Sequence, residues 1–162
     1  MARCKVYKHA KQGWYKLLNP QKFIPPMDRH MQSFNESEGA VQYKSALEYR
    51  AIRYADFNPG VRRFSLEPFS ISYIKPTTGK VHRYYVDLYL EFTTGDKFLV
   101  EVKSKNETQE PKVPRKKTDA ALLRYQRAMI TWAINQAKWK AATAFAKSNG
   151  MRFIILTEDQ LK

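Results

Sequence analysis

The sequence predicts an α/β fold, a mixed sheet flanked by helices with a basic N-terminal arm ahead of it. Three observations carry this. Two segments, 81–92, rich in Tyr and Val, and 97–103, alternate with period two and are joined by a short turn at Thr94-Gly95-Asp96, so they read as paired strands. A long stretch, 118–148, has helical spacing, and a short apolar strand, 152–156, follows it. The order helix, strand, strand, strand, helix, strand then gives a sheet with helices packed on it, an α/β sandwich. Hydrophobic residues make up 43% of the 162, enough for one real core and too few residues for two ordinary domains.

Residues 1–40 read as the arm and 41–162 as the domain. The first thirty residues hold Arg3, Lys5, Lys8, Lys11, Lys16, Lys22 and Arg29 against a single acid, Asp28. Tyr7, Trp14, Tyr15 and Phe23 interleave with them, and Pro20, Pro25 and Pro26 oppose a long helix. Either the arm contacts phosphates with aromatic anchoring, or it is a solvated extension pinned to the core by its rings. A helix is predicted over 45–56 from Leu47, Ala51, Tyr54 and Ala55, stopped by Asn58-Pro59-Gly60. A broken alternation over 64–73 predicts one strand with a bulge or edge at Pro68, and 75–79 a turn. Residues 81–92 form the clearest strand. The polar loop 104–117 contains Pro111 and Pro114, and with Lys103 it carries six basic residues against two acids. Thr118 or Asp119 caps the next helix, whose stripe is Leu122, Tyr125, Met129, Trp132, Gln136, Trp139 and Thr143. Unbroken, that helix would run about 45 Å at ~1.5 Å per residue, so a break is expected. Asn149-Gly150 ends it, and Thr157-Glu158 starts a final turn.

The charge narrows the partners. Lys and Arg number 29 against 15 acids, a formal charge of +14, which calls for a polyanion. No apolar run reaches the roughly 20 residues that span a bilayer, and the N-terminus has no apolar signal region. Cys4 alone cannot make an internal disulfide, which suits a reducing cytoplasm, and His9, His30 and His82 are too scattered for structural zinc. A basic DNA- or RNA-binding domain is left.

One constellation adds chemistry. On 97–103, Phe98, Val100 and Val102 share one face while Leu99, Glu101 and Lys103 share the other. On 81–92, Tyr84, Val86, Leu88 and Leu90 form the apolar face, with Asp87 opposite them mid-strand. A hairpin can then unite Asp87, Glu101 and Lys103. Two carboxylates, with the Val102 carbonyl as a third oxygen, suit Mg2+ or Mn2+, and a lysine beside them can orient water or offset charge on a phosphoryl transition state. The pattern alone is cheap. A solvated sheet face carrying a Glu–Lys pair fits equally well, and a second Glu-x-Lys, Glu110-Pro111-Lys112, lies in the proline-bounded loop with no catalytic role assigned. Glu48 could add a ligand from the first helix, or could close a capping box onto the Ser45 backbone. Asn135 and Lys138 share a helix face that either meets DNA or is a polar outer surface, and Trp132 and Trp139 read as core.

Glu48, Asp87 and Glu101-Val102-Lys103 in this order resemble the PD-(D/E)XK nuclease superfamily. Leu18-Asn19-Pro20, His82-Arg83-Tyr84, Pro111-Lys112-Val113-Pro114, Ile134-Asn135-Gln136-Ala137-Lys138-Trp139 and Phe153-Ile154-Ile155-Leu156-Thr157-Glu158 sharpen the likeness. Over nearly the whole chain they resemble the head completion nucleases of T-even-like tailed bacteriophages, and more loosely the endonuclease subunit of certain transposases. Val86 stands where the superfamily name has proline. The resemblance implies a restriction-endonuclease-like core that cuts double-stranded DNA with magnesium, using Glu48, Asp87, Glu101 and Lys103, with Asp87, Glu101 and Val102 at the metal. It implies trimming of packaged phage DNA before head–tail joining, in the cytoplasm of the infected host or at the virion head, with head or portal proteins as partners. Lys105, Lys112, Arg115, Lys116, Lys117 and Lys138 are the expected DNA contacts. The competing expectation is a head or neck structural protein that binds DNA without cutting it.

Overall fold

Burial divides the apolar residues into two cores, one on each side of a four-stranded sheet. The computed structural model describes residues 12–27 and 33–162. The basic residues Arg3, Lys5, Lys8, Lys11 and Arg29, with Cys4, His9, Asp28 and His30, lie outside the described residues.

The central sheet has the order β4-β7-β8-β9. Strands β4 (Val61–Leu66), β7 (Leu88–Phe92) and β8 (Lys97–Val102) pair antiparallel, and β9 (Arg152–Leu156) adds parallel to β8, so the sheet is mixed as expected. Helix α1 (Ala46–Phe57) covers one face, where Ala51, Ile52 and Ala55 pack among Phe64, Leu88, Leu90, Val100 and Val102. Helix α2 (Asp119–Ser148) covers the other, with Ala142 and Ala146 on Leu99, Val86 and Tyr84. Leu99 lies in one core and Val100 and Val102 in the other, the period-two alternation read from the sequence.

Residues 12–27 and 33–43 are knitted onto this unit. Strands β1 (Gly13–Lys16) and β2 (Phe34–Asn35) flank β3 (Ala40–Tyr43) in a second antiparallel sheet, and Leu17 and Phe23 are buried in the α1-side core. A Cβ on Gly13 would fall 2.5 Å from the Tyr43 hydroxyl, so any larger residue there would have to displace the Tyr43 ring. Asp56, fully buried near the end of α1, accepts hydrogen bonds from the Tyr15 hydroxyl (2.7 Å) and the backbone N–H groups of Leu18 and Asn19 (both 2.9 Å).

Three expectations are corrected. The 64–73 strand is two strands in different sheets: after β4 the chain leaves through Glu67-Pro68 and forms β5 (Ser70–Ile74), which pairs only with β6 (Val81–Tyr85). Pro68 has no N–H for a ladder, and Glu67 takes a left-handed turn at φ 43°. The 81–92 strand is likewise β6 and β7, interrupted at Val86-Asp87, so Asp87 sits at a break rather than mid-strand. The long helix is unbroken over 30 residues, and of the expected stripe only Trp139 is buried, beside Asn135, Ala142 and Ala146. Only its C-terminal half lies on the sheet, so small alanines allow close approach while Leu123 and Ile130 stay exposed.

Candidate active site

The interruption between β6 and β7 builds the site. Register places Leu88 opposite Val100, so Asp87, just ahead of β7, comes level with the end of β8. No β7 residue pairs with Val102, and its N–H donates instead to Asp87 Oδ2 at 2.7 Å. A strand residue's N–H and C=O point toward the same edge, so the Val102 carbonyl also faces the Asp87 side. The Glu67 N–H donates to the Asp87 carbonyl at 2.9 Å, fixing the break from the other side.

Glu101 and Lys103 follow on one face of β8, as the alternation requires. Lys103 Nζ lies 3.3 Å from Glu101 Oε1, and the Tyr84 hydroxyl donates to Glu101 Oε2 at 2.5 Å. Glu101 is only 4% exposed. Lys138 on α2 sits over the Tyr84 ring, 5.5 Å from its centroid, and over Tyr73 at 5.8 Å. Sheet, β6 and α2 therefore converge on one carboxylate.

Electrostatics identify the centre of this cluster. Burial pushes the Asp87 pKa well above the usual carboxylate range, and the Glu101 and Glu48 charges push it the same way. The Val102 N–H and Lys103 only partly offset them. Burial lowers the Lys103 pKa, but Glu101 and Asp87 more than reverse this and hold the ammonium charged. Burial and the Glu101 charge raise the Tyr84 pKa, so its hydroxyl remains a donor.

Glu48 stands beside the set. Its N–H is capped by Ser45 Oγ at 3.1 Å, as the capping reading predicts, but its carboxylate accepts from the Lys44 N–H at 2.6 Å, not from the Ser45 N–H. Burial raises its pKa. A small cavity of about 20 Å³ joins Glu48 to Asp87 and to Glu67, whose carboxylate pairs with the Lys44 ammonium. Sequence reasoning missed Glu67, Lys44 and the role of Tyr84. A proline after Glu67 hinted at a chain break and nothing hinted at the carboxylate's destination. Tyr84 reads from the sequence as part of an apolar strand face and of the His82-Arg83-Tyr84 run, and neither points to its hydroxyl.

Among the described residues no three His, Cys, Asp or Glu side chains converge closely enough to hold a metal ion by themselves. Asp87, Glu101 and the Val102 carbonyl form a two-carboxylate set, and two carboxylates pressed together in a low-dielectric pocket are what a hard cation with a water-rich shell neutralises. The donor chemistry fits magnesium or manganese.

The expected DNA contacts divide. Arg115, Lys116 and Lys117 are exposed on the loop before α2, and Lys112 lines a cavity against that helix. Lys105 pairs with Asp159 at 2.8 Å, and Lys138 lies over the two tyrosine rings. Asn135, the supposed outer-face residue, is buried and lines the same cavity as Lys112.

A mixed sheet presenting two carboxylates and an ammonium at a strand break, in a chain of charge +14, has the layout of a nuclease. The chain belongs to the TnsA-like endonuclease N-terminal family, which matches residues 58–158. It is also 33% identical over 141 residues to the head completion nuclease of Enterobacteria phage T4, covering 87% of this chain and 92% of that one. The family match starts between α1 and β4 and ends after β9, so it takes in Asp87, Glu101 and Lys103, while Glu48 precedes it. Among the described residues no helix is long and apolar enough to cross a membrane.

Proposed function

We propose that this protein is a divalent-metal-dependent DNA endonuclease that hydrolyses phosphodiester bonds at Asp87, Glu101 and Lys103. The observation that carries it is the meeting of those three groups at the β6–β7 break, with Asp87 and Glu101 close enough to perturb each other. Asp87, Glu101 and the Val102 carbonyl would hold Mg2+ or Mn2+. When bound, the cation supplies Lewis-acid polarisation of the scissile phosphate. Lys103, held charged beside Glu101, donates to the attacking water or to the charge growing on phosphorus. Water adds at phosphorus and one P–O ester bond breaks, leaving a hydroxyl and a phosphate monoester. Tyr84 fixes the second Glu101 oxygen, Lys138 braces Tyr84, and Glu48 supports the charge balance around Asp87. Lys112, Arg115, Lys116 and Lys117 on the exposed loop carry the duplex backbone, and Lys105 joins them where DNA displaces its Asp159 partner.

The relative from phage T4 is a head completion nuclease, which supports trimming of packaged DNA before head–tail joining as the biological setting. The protein would then act in the infected bacterial cytoplasm or at the virion head, beside head or portal proteins. The test is incubation of purified protein with supercoiled and linear duplex DNA, with magnesium, with manganese and with chelator. Cutting is expected with either metal and not with chelator, and Asp87→Asn abolishes it. Cutting that persists in Asp87→Asn defeats the site assignment. DNA affinity is expected to fall steeply as salt rises, because phosphate contacts release counterions.

A further inference from the structure

One cavity lies not at the carboxylates but next to them. About 480 Å³ opens between the 104–117 loop and the middle of α2, within the roughly 300–1,000 Å³ range of small-ligand sites. Its wall on α2 carries Trp132 and Asn135. Asn135 is only 9% exposed, yet its side-chain amide has no hydrogen-bond partner among the described residues. The amide therefore faces the cavity, where solvent or a ligand can bond to it. The opposite wall carries Glu107 and Glu110, with Lys112 among the lining residues.

We infer that this cavity receives one unpaired nucleobase of the DNA substrate, adjacent to the phosphate being cut; the inference rests on the nuclease reading for the identity of the polymer. Three features select a base over a phosphate. Two carboxylates line the pocket and would repel an anion, while carboxylates accept hydrogen bonds from base amino groups. The Asn135 amide offers a donor and an acceptor side by side, the pattern that reads a base edge. The partly exposed Trp132 indole supplies a stacking face; it meets Trp139 edge-on, ring centroids 6.2 Å apart. Position supports the same occupant. Asn135 precedes Lys138 by one turn of α2, roughly 4.5 Å along the axis and on the same side. Lys138 touches Tyr84, and Tyr84 holds Glu101. From the other wall, Glu107 caps its turn through the Ser104 hydroxyl (2.7 Å), directly after Lys103, and its charge acts on Lys103. Both walls of the cavity thus abut the reacting groups, and a nucleotide in it lies beside the scissile bond.

The test is equilibrium binding of the full chain, in chelator, to three labelled DNAs. These are a blunt duplex, a duplex with a two-nucleotide overhang containing 2-aminopurine, and the same overhang with abasic sites. The base-bearing overhang should bind at least about fivefold tighter than the abasic one, the scale that stacking of one base supports. The 2-aminopurine emission should be quenched on binding. Trp132→Leu and Asn135→Leu should bring the ratio near one while leaving blunt-duplex affinity unchanged. Equal affinity of the unaltered protein for the two overhangs overturns the inference without recourse to any variant, and so does a preference that survives both substitutions. Magnesium-dependent plasmid cutting reads the nuclease assignment separately. Cutting without base preference removes the pocket's occupant alone, and base preference without cutting removes the nuclease reading while supporting the occupant.

Discussion

Asp56 and Asp87 are both enclosed aspartates near the junctions of the sheet, and the chain treats them in opposite ways. Asp56 is fully buried and surrounded by donors: one phenol and two backbone N–H groups contact its oxygens, and Lys22 Nζ sits on the nearby carbonyls of Ala55, Asp56 and Asn58 at 2.7–2.9 Å. Asp87 has one backbone donor and faces Glu101 and Glu48. The first arrangement uses a carboxyl group to join residues 13–22 to α1, because each donor is satisfied only when the segment is docked. The second crowds carboxyl groups with few donors, so ionisation of Asp87 is disfavoured until a cation compensates it.

Exchanging the charge at each place should separate the two roles. Asp87→Asn is expected to lower cleavage on the order of a thousandfold, since both cation binding and transition-state electrostatics depend on it. Without a cation its melting temperature should stay level or rise at neutral pH, because a carboxyl whose folded pKa is raised disfavours the fold above its unfolded pKa and the amide does not. Parallel cleavage assays and thermal melts check this, and a large drop in melting temperature would mean that Asp87 is structural like Asp56. Asp56→Ala should do the reverse. It leaves buried donors without an acceptor, a loss of about 3–5 kcal/mol. At ~2–4 °C per kcal/mol for a chain of this size, the melt falls by roughly ten degrees, while cleavage per folded molecule is retained.

Lys22→Met probes the latch more gently. It removes a cation from the C-terminal carbonyls of α1, where the helix dipole also favours positive charge. A loss of about 1–2 kcal/mol is expected, read as a lower urea midpoint at unchanged cleavage. A loss equal to that of Asp56→Ala would show that Lys22, not Asp56, is the main tie.

This contrast also explains what the sequence could disclose. The β7–β8 hairpin, the shared face of Glu101 and Lys103, β9, and the ends of both helices were legible, because each follows from a local period, turn or cap. The break at Val86-Asp87 was not. Tyr84, Val86, Leu88 and Leu90 alternate without interruption, and all four are buried, but they serve two different cores. A period-two reading cannot register that change of face. The docking of residues 12–27 and 33–43 was hidden for another reason: it depends on Asp56, some 40 residues away, and on Gly13 passing close to Tyr43. In α2, Ala142 and Ala146 are half of the buried residues, and they leave a weak hydrophobic signal beside the Leu and Met that helical spacing picked out.

A third carboxylate gives the smallest and most discriminating test. Glu91 on β7 is 5% exposed and, unlike Asp87, is met by cations: Arg63 at 2.9 Å and Arg62 at 3.6 Å, with Tyr89 donating at 3.2 Å. The Arg63 hydrogen bond leads in holding its pKa below the usual value, and burial opposes it. A carboxylate with a depressed folded pKa stabilises the fold at pH above its unfolded value, and that contribution fades as pH falls through the folded one. Wild-type stability should therefore decline on the acid side of about pH 4.5. Because both arginines are largely solvated, the effect is on the order of 1 kcal/mol or less, a few degrees of melting temperature. Glu91→Gln should melt slightly lower at neutral pH and converge with the wild type near pH 3. If the two curves instead run parallel down to pH 3, the difference comes from packing of the side chain, and the arginine pair is not what holds Glu91 ionised.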